Sequence, residues 1–178
     1  MSGHSISDAT LIQWQADEAA VRARLGAQGV SERQELARRS GLEFFNAISR
    51  GELPSPPIGV LLGFVPIEYS PGRFVFQGTP GFEHYNPIGT VHGGYAATLL
   101  DSCVGCAIHT LLPAGKAYTT LELKVNFIRA LTDKTGPVRA EGTVVNLGAQ
   151  IGIAEGRITD SAGRLYAYAS TTCLIFSV

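Results

Sequence analysis

Charge is scarce in this sequence and evenly split. Of 178 residues, 16% are Asp, Glu, Lys or Arg, and 14 basic against 15 acidic side chains leave a formal net charge of −1. With no basic excess to gather around phosphates, no nucleic-acid partner is expected. Cysteine is sparse too. Three of them, an odd number in a chain too long to need staples, exclude a secreted disulfide framework and suit a reducing, cytoplasmic setting. The opening Met1-Ser2-Gly3-His4-Ser5-Ile6-Ser7-Asp8 lacks the positive cluster, apolar core and small-residue cleavage site of a signal peptide, so no export is expected. The longest apolar stretch, Tyr95 to Leu112, is interrupted by Asp101 and His109. Those two groups make a membrane span costly, and no membrane partner is expected.

What the chain has is hydrocarbon and glycine. Hydrophobic residues make up 45% of it, which excludes a disordered chain. Its length suits one ordinary domain, or one with an added arm. Glycine, at 21 residues, points to tight turns and close backbone approaches more than to long regular helices.

The first fifty residues read as helical. Leu11, Trp14, Val21 and Leu25 recur along one stripe, and Gly26 to Gly29 ends that helix. Ser31 followed by Gln34 predicts a capping box for a second helix, with Leu36, Phe44 and Ile48 on its apolar side, running to about Arg50. Pro54-Ser55-Pro56-Pro57 forbids continuation. The predicted organisation is therefore an N-terminal helical arm over 1–57 and a second unit over 58–178.

Beyond Pro57 the pattern turns to strands. Gly59 to Tyr69 and Arg73 to Gly78 form a predicted hairpin about Ser70-Pro71-Gly72, and Thr79 to Gly89 reads as loop. The apolar stretch after Gly93-Gly94 is too long for one strand and predicts a central helix. From Thr119 the alternation is clean: Leu121, Leu123, Val125 and Phe127 on one parity, Thr120, Glu122, Lys124 and Asn126 on the other. Val138 to Leu147, Ile151 to Thr159 and Leu165 to Phe176 are three further strands, the last two joined by a turn at Asp160-Ser161-Ala162-Gly163. The expected class is α+β, a sheet of about six antiparallel strands wrapped round one long helix. Its bare face and unpaired edges predict self-association, a dimer at least.

The segment Asn86-Pro87-Ile88-Gly89-Thr90-Val91-His92-Gly93-Gly94, ending seven residues before Asp101, carries the chemistry. Gly93 and Gly94 open a helix whose first amides have no internal acceptor, and missing side chains let a polarised carbonyl approach. The plain alternative is a glycine pair that only lets the loop turn. Asp101 sits among Leu99, Leu100, Cys103, Val104 and Ile108, where a carboxylate must find a partner or be desolvated. It is either a hydrogen-bonded structural group or a base or nucleophile.

This constellation, together with the run Leu121 to Phe127 and the strand pair from Asp160 to Thr172, resembles the hot-dog-fold acyl-CoA thioesterases of the phenylacetate-pathway type. The resemblance covers about residues 58 to 177. It implies that Asn86 and the Gly93 amide polarise the thioester carbonyl and that Asp101 is general base or nucleophile. It also implies that Thr120, a threonine where relatives commonly have serine, helps place the attacking water. Strand parity, however, points Thr120 away from the dry face. Eight residues separate Gly93 from Asp101, roughly 12 Å along a helix. If both act on one thioester they come from different chains, and a dimer holds two equivalent sites.

Around these, His92 reads as a loop anchor or a proton-transfer group, Gly94 as a second amide near substrate, and Arg129 as a contact for a coenzyme A phosphate or a solvated side chain. Tyr95, Leu99 and Phe127 are the expected lining of an acyl pocket for aryl or medium-chain groups. The arm would extend the dimer or cover that pocket. Cys103-Val104-Gly105-Cys106 has C-x-x-C spacing, but its place in mid-helix suits core packing better than redox chemistry or zinc. The histidines show no metal-ligand spacing, so no metal and no cofactor beyond the coenzyme A of the substrate is expected. Three functions follow: acyl-CoA thioester hydrolysis in a homodimer or homotetramer, a non-catalytic acyl-CoA-binding or regulatory protein on the same scaffold, and enoyl-CoA hydration. The Asn86 and Gly93 arrangement suits carbonyl polarisation better than the last.

Overall fold

The computed structural model describes the backbone of residues 3–178 and side chains from Asp8 onward. The opening seven residues, on which the export reading rests, lie outside the described side chains. Six strands, β1 (Phe64–Ser70), β2 (Arg73–Gly78), β3 (Lys116–Phe127), β4 (Val138–Leu147), β5 (Ile151–Asp160) and β6 (Leu165–Ser177), form one sheet. Its order is β1-β2-β4-β5-β6-β3, antiparallel at every pairing. The β1–β2 turn closes on Gly72 at φ +77°, a conformation that glycine adopts without strain. At the β5–β6 turn the Asp160 carboxylate accepts from the amides of Ala162 and Arg164 and from the Tyr166 hydroxyl and the Arg164 guanidinium. Burial pushes its pKa up, but those donors together hold it below the ordinary carboxylate range.

The sheet wraps α5 (Gly93–His109), the predicted central helix. Leu99, Leu100, Cys103, Val104, Ala107 and Ile108 are fully buried against strand residues such as Val138, Ala140, Ala154 and Ile158. Each large aliphatic among them contributes about 1.5–3 kcal/mol. The helix rests almost on the strand backbone: a Cβ added at Gly142 would lie 2.3 Å from the Cys103 carbonyl oxygen. This is the hot-dog arrangement, α+β, with helices N-terminal to it.

Those helices are α1 (Gly3–Arg22), α2 (Arg33–Arg38), α3 (Gly41–Ser49) and α4 (Pro57–Leu61). Phe74 and Phe76 of β2 join the core under α5, and the alternate residues Val75 and Gln77 face the other way, where α1 is tied down. The Arg139 guanidinium lies 4.4 Å over the Trp14 ring and bonds Asp17 at 2.6 Å, and fully buried Gln77 donates to the Trp14 carbonyl and to Glu18. On the core side, Phe45 of α3 packs its ring 4.6 Å from that of Phe74.

Four local expectations change. The second helix is two helices, and its capping box is Ser40 with Glu43; Glu32 caps α2 without a side-chain bond. The break falls where Gly41 crosses the end of α5, for a Cβ there would lie 1.7 Å from the His109 carbonyl oxygen. The expected strand from Gly59 begins only at Phe64, because Pro57, its φ already helical, starts α4 instead. The Thr79–Gly89 loop holds a short 3-10 turn at Phe82–His84. The clean parity of β3 is broken by a bulge between Thr120 and Glu122. One extra residue there throws Leu121 outward, 57% exposed, and brings Thr120 onto the inward side.

Candidate active site

The start of α5 is a set of hydrogen bonds that leaves one amide over. His92 is the N-cap, in extended backbone, and its Nδ1 accepts from the Gly94 amide at 2.8 Å. The Tyr95 amide donates to the His92 carbonyl at 3.0 Å. Among the described residues nothing accepts from the Gly93 amide, which stands at the positive end of the helix dipole. Gly94, expected beside substrate, therefore has its amide occupied by His92. The side chain of Asn86 is held in place: its Oδ1 accepts from the amides of Ile88 and Thr90, and its Nδ2 donates to the Thr90 hydroxyl. One Nδ2 hydrogen remains. Asn86, His92, Gly93 and Arg129 all line a single cleft of about 330 Å³, with Phe127 against Gly93.

Asp101 lines a different region. It is half-buried, not desolvated, because α5 is not covered all round: Thr98, Asp101, Ser102 and Cys106, at helical spacing, form a partly open stripe. The bulge in β3 brings Thr120 to it, and the Thr120 hydroxyl donates to Asp101 Oδ1 at 2.8 Å. Two clefts meet at this carboxylate. One, about 410 Å³, and the other, about 580 Å³, are both walled in part by the N-terminal helices and their connections.

The structure thus gathers Asn86, His92, Gly93 and Arg129 at one end of α5 and Asp101 with Thr120 at mid-helix, and does not bring the two groups into one cleft. Tyr95 and Leu99, expected in the pocket lining, are core residues, 4% and 0% exposed. The lining near Asp101 comes instead from Leu25, Ile48, Ile58, Val60 and Tyr118, with Ser102 beside the carboxylate. Sequence reasoning missed α4 by starting a strand at Gly59, though Pro56-Pro57 ahead of an apolar stretch is a helix-start signal. The thiols of Cys103 and Cys106 are both raised by burial, that of Cys106 to about 12, so they are protonated and packed, not thiolates. Among the described residues, no three His, Cys, Asp or Glu side chains are grouped to hold a metal ion. No described helix is long and apolar enough to cross a membrane.

Residues 88–167 match the family model of the Thioesterase superfamily. Among solved structures, a candidate thioesterase related to phenylacetic acid degradation from Ralstonia eutropha is 26% identical, with a TM-score of 0.67 over 73% of this chain and 98% of that one. An Asn-to-Asp variant of the phenylacetic acid degradation protein PaaI from Thermus thermophilus is 27% identical, with a TM-score of 0.60 over 66% of this chain and 97% of that one. A candidate esterase of Halobacterium salinarum is 39% identical over 69 residues, 38% of this chain and 44% of the relative's length. Over residues 88–167 the chain is thus similar to the thioesterase superfamily, and its sheet and helix define a hot-dog fold.

Proposed function

We propose that the protein hydrolyses acyl-CoA thioesters, and that each site is made by two copies of the chain. The observation that carries this reading is the polar equipment of α5: a left-over amide at Gly93 in one cleft, and in another a half-open carboxylate, Asp101, oriented by Thr120. An amide at a helix start is suited to a carbonyl oxygen that gains negative charge. A fixed carboxylate is suited to take a proton from water.

In this mechanism the thioester carbonyl rests on the Gly93 amide and the remaining Nδ2 hydrogen of Asn86. Asp101 of the other copy removes a proton from water, whose oxygen attacks the carbonyl carbon. The tetrahedral oxyanion collapses, the carbon–sulfur bond breaks, and the coenzyme A thiolate leaves and takes up a proton. The products are a carboxylic acid and free coenzyme A, with no further cofactor. His92 contributes by capping Gly94, which fixes the loop, and Arg129, exposed and with its guanidinium in no hydrogen bond among the described residues, stands where a coenzyme A phosphate can meet it.

The test is thiol release over a panel of acyl-CoA esters, with Asp101→Asn beside the parent. The variant should keep its unfolding midpoint and lose about 10²–10⁴-fold in kcat. Full activity in a folded Asp101→Asn overturns the mechanism. A parent that binds acyl-CoA but turns over no ester is a binding protein instead.

A further inference from the structure

The arm shares the cleft with Asp101. The cleft of about 410 Å³ has α5 on one side, with Asp101 and Ser102, and on the other Leu25, Ile48 and α4 with Ile58 and Val60, over a floor that includes Phe64 and Phe76. Its size falls within the usual range for small-ligand clefts, about 300–1,000 Å³. Its polarity is divided: the carboxylate and a hydroxyl lie on the helix side, and hydrocarbon on the arm side. Of the other polar side chains along it, the Tyr118 hydroxyl lies 3.9 Å from the Cys106 thiol, and Arg22, 44% exposed, keeps part of its guanidinium open to water. The Ser55 hydroxyl donates to the Gly26 carbonyl, and the Arg22 guanidinium binds Glu18 and the Gly63 carbonyl. Ile58 and Val60, 45% and 55% exposed, stand at its rim without being needed by the core.

We propose that this cleft receives the hydrocarbon tail of the acyl group, and that Ile58 and Val60 of α4 set how much tail it accepts. The proposal rests on the thioesterase reading for the position of the reacting carbonyl beside Asp101. The ligand class is an acyl chain without a polar end group, because a hydroxyl carried between Leu25, Ile48, Ile58 and Val60 would meet hydrocarbon and lose its water. The acyl preference is then a property of helices that lie outside the matched segment 88–167.

Binding of unreactive coenzyme A thioethers tests this apart from hydrolysis. S-octyl-CoA, S-ethyl-CoA and an octyl thioether with a terminal hydroxyl are titrated into the full-length parent and into Ile58→Trp, Val60→Trp and Leu61→Trp. Leu61 is on the same helix but does not line the cleft, and is 76% exposed. The parent should favour octyl over ethyl at least tenfold and disfavour the hydroxylated tail; an apolar pocket can discriminate about 10–200-fold for a single methylene. Ile58→Trp and Val60→Trp should lower the octyl-to-ethyl ratio about tenfold or more, and Leu61→Trp should leave it as in the parent. A parent with no octyl preference, or a ratio equal in all four proteins, overturns the pocket. A parent that hydrolyses no ester yet shows these ratios overturns the thioesterase reading and leaves the pocket standing.

Discussion

The two ends of α5 follow opposite plans. At the N-terminal end the chain assigns acceptors one by one, His92 Nδ1 to the Gly94 amide and the His92 carbonyl to that of Tyr95, until the Gly93 amide alone is left facing a cleft. At the C-terminal end it seals what is polar. The His109 ring lies 5.7 Å from that of Phe44, 5.3 Å from Phe45 and 5.6 Å from Tyr118, and burial drives its pKa down to about 4. Where the chain closes over its own helix, a titratable group gives up its charge. Where it leaves the helix open, polar groups stay available for something from outside.

The sharpest way to break this contrast is to remove the Gly93 amide without moving the helix. Gly93 is the first helical residue, where proline is accepted, and His92 before it, at φ −61° and ψ 137°, already has the extended backbone that a following proline requires. The added ring would press on Phe127, which is 59% exposed and can yield. Gly93→Pro should fold and lose about 10²–10³-fold in kcat, the usual effect of one missing oxyanion donor. Co-expressed with Asp101→Asn, it should regain about a quarter of parental activity, since half the dimers are mixed and each has one intact site. A mixture no more active than its two components would mean that the amide and the carboxylate do not combine across copies.

The sealed end gives the next largest effect. A His pKa lowered from 6.5 to about 4 means that the unfolded chain binds a proton more readily than the folded one between those values. The contribution to stability is complete above the unfolded pKa and falls as pH drops through the window from about 6.5 to about 4. It amounts to about 3 kcal/mol by pH 4. Denaturant unfolding at pH 7, 5.5 and 4.5 should show this slope in the parent and lose it in His109→Phe, whatever that variant's stability at pH 7. Parallel slopes would show that the ring is not sealed.

The fold was largely legible in the sequence, because hydrophobic period and turn residues are local signals. Five of six strands lie close to their predicted bounds, and the central helix starts at its glycine pair. What escaped depended on contacts distant in sequence. The close approach of Gly41 to a carbonyl at the far end of α5 is such a contact, although the capping-box spacing of Ser40 and Glu43 beside it is local. The cap expected at Ser31 with Gln34 forms instead at Ser40 with Glu43, which carry the same spacing. Of the candidate site, the residues of the Asn86–Gly94 segment could be found by motif, whereas the cleft-lining Ile58 and Val60 lie where a short apolar run reads as the start of a strand.

Between the two ends, Thr120 is the residue whose orientation alternation alone gets wrong. Period two sends Thr120 outward with Glu122; the bulge at Leu121 resets the count, so that Thr120 meets Asp101 while Leu123 and Val125 remain packed toward the core. The bulge is thus the device that puts a hydroxyl on the open stripe of α5, and in the proposed mechanism that hydroxyl acts through Asp101 as a positioning residue. Thr120→Val keeps shape and removes the donor, leaving the carboxylate free to turn. It should lower kcat about tenfold, one hydrogen bond's worth at about 1.4 kcal/mol, with KM little changed. Thr120→Ser restores the donor without the methyl and should recover most of the rate. Equal losses in Val and Ser variants would assign the residue to packing, and no loss in Val would show that Asp101 needs no orienting partner.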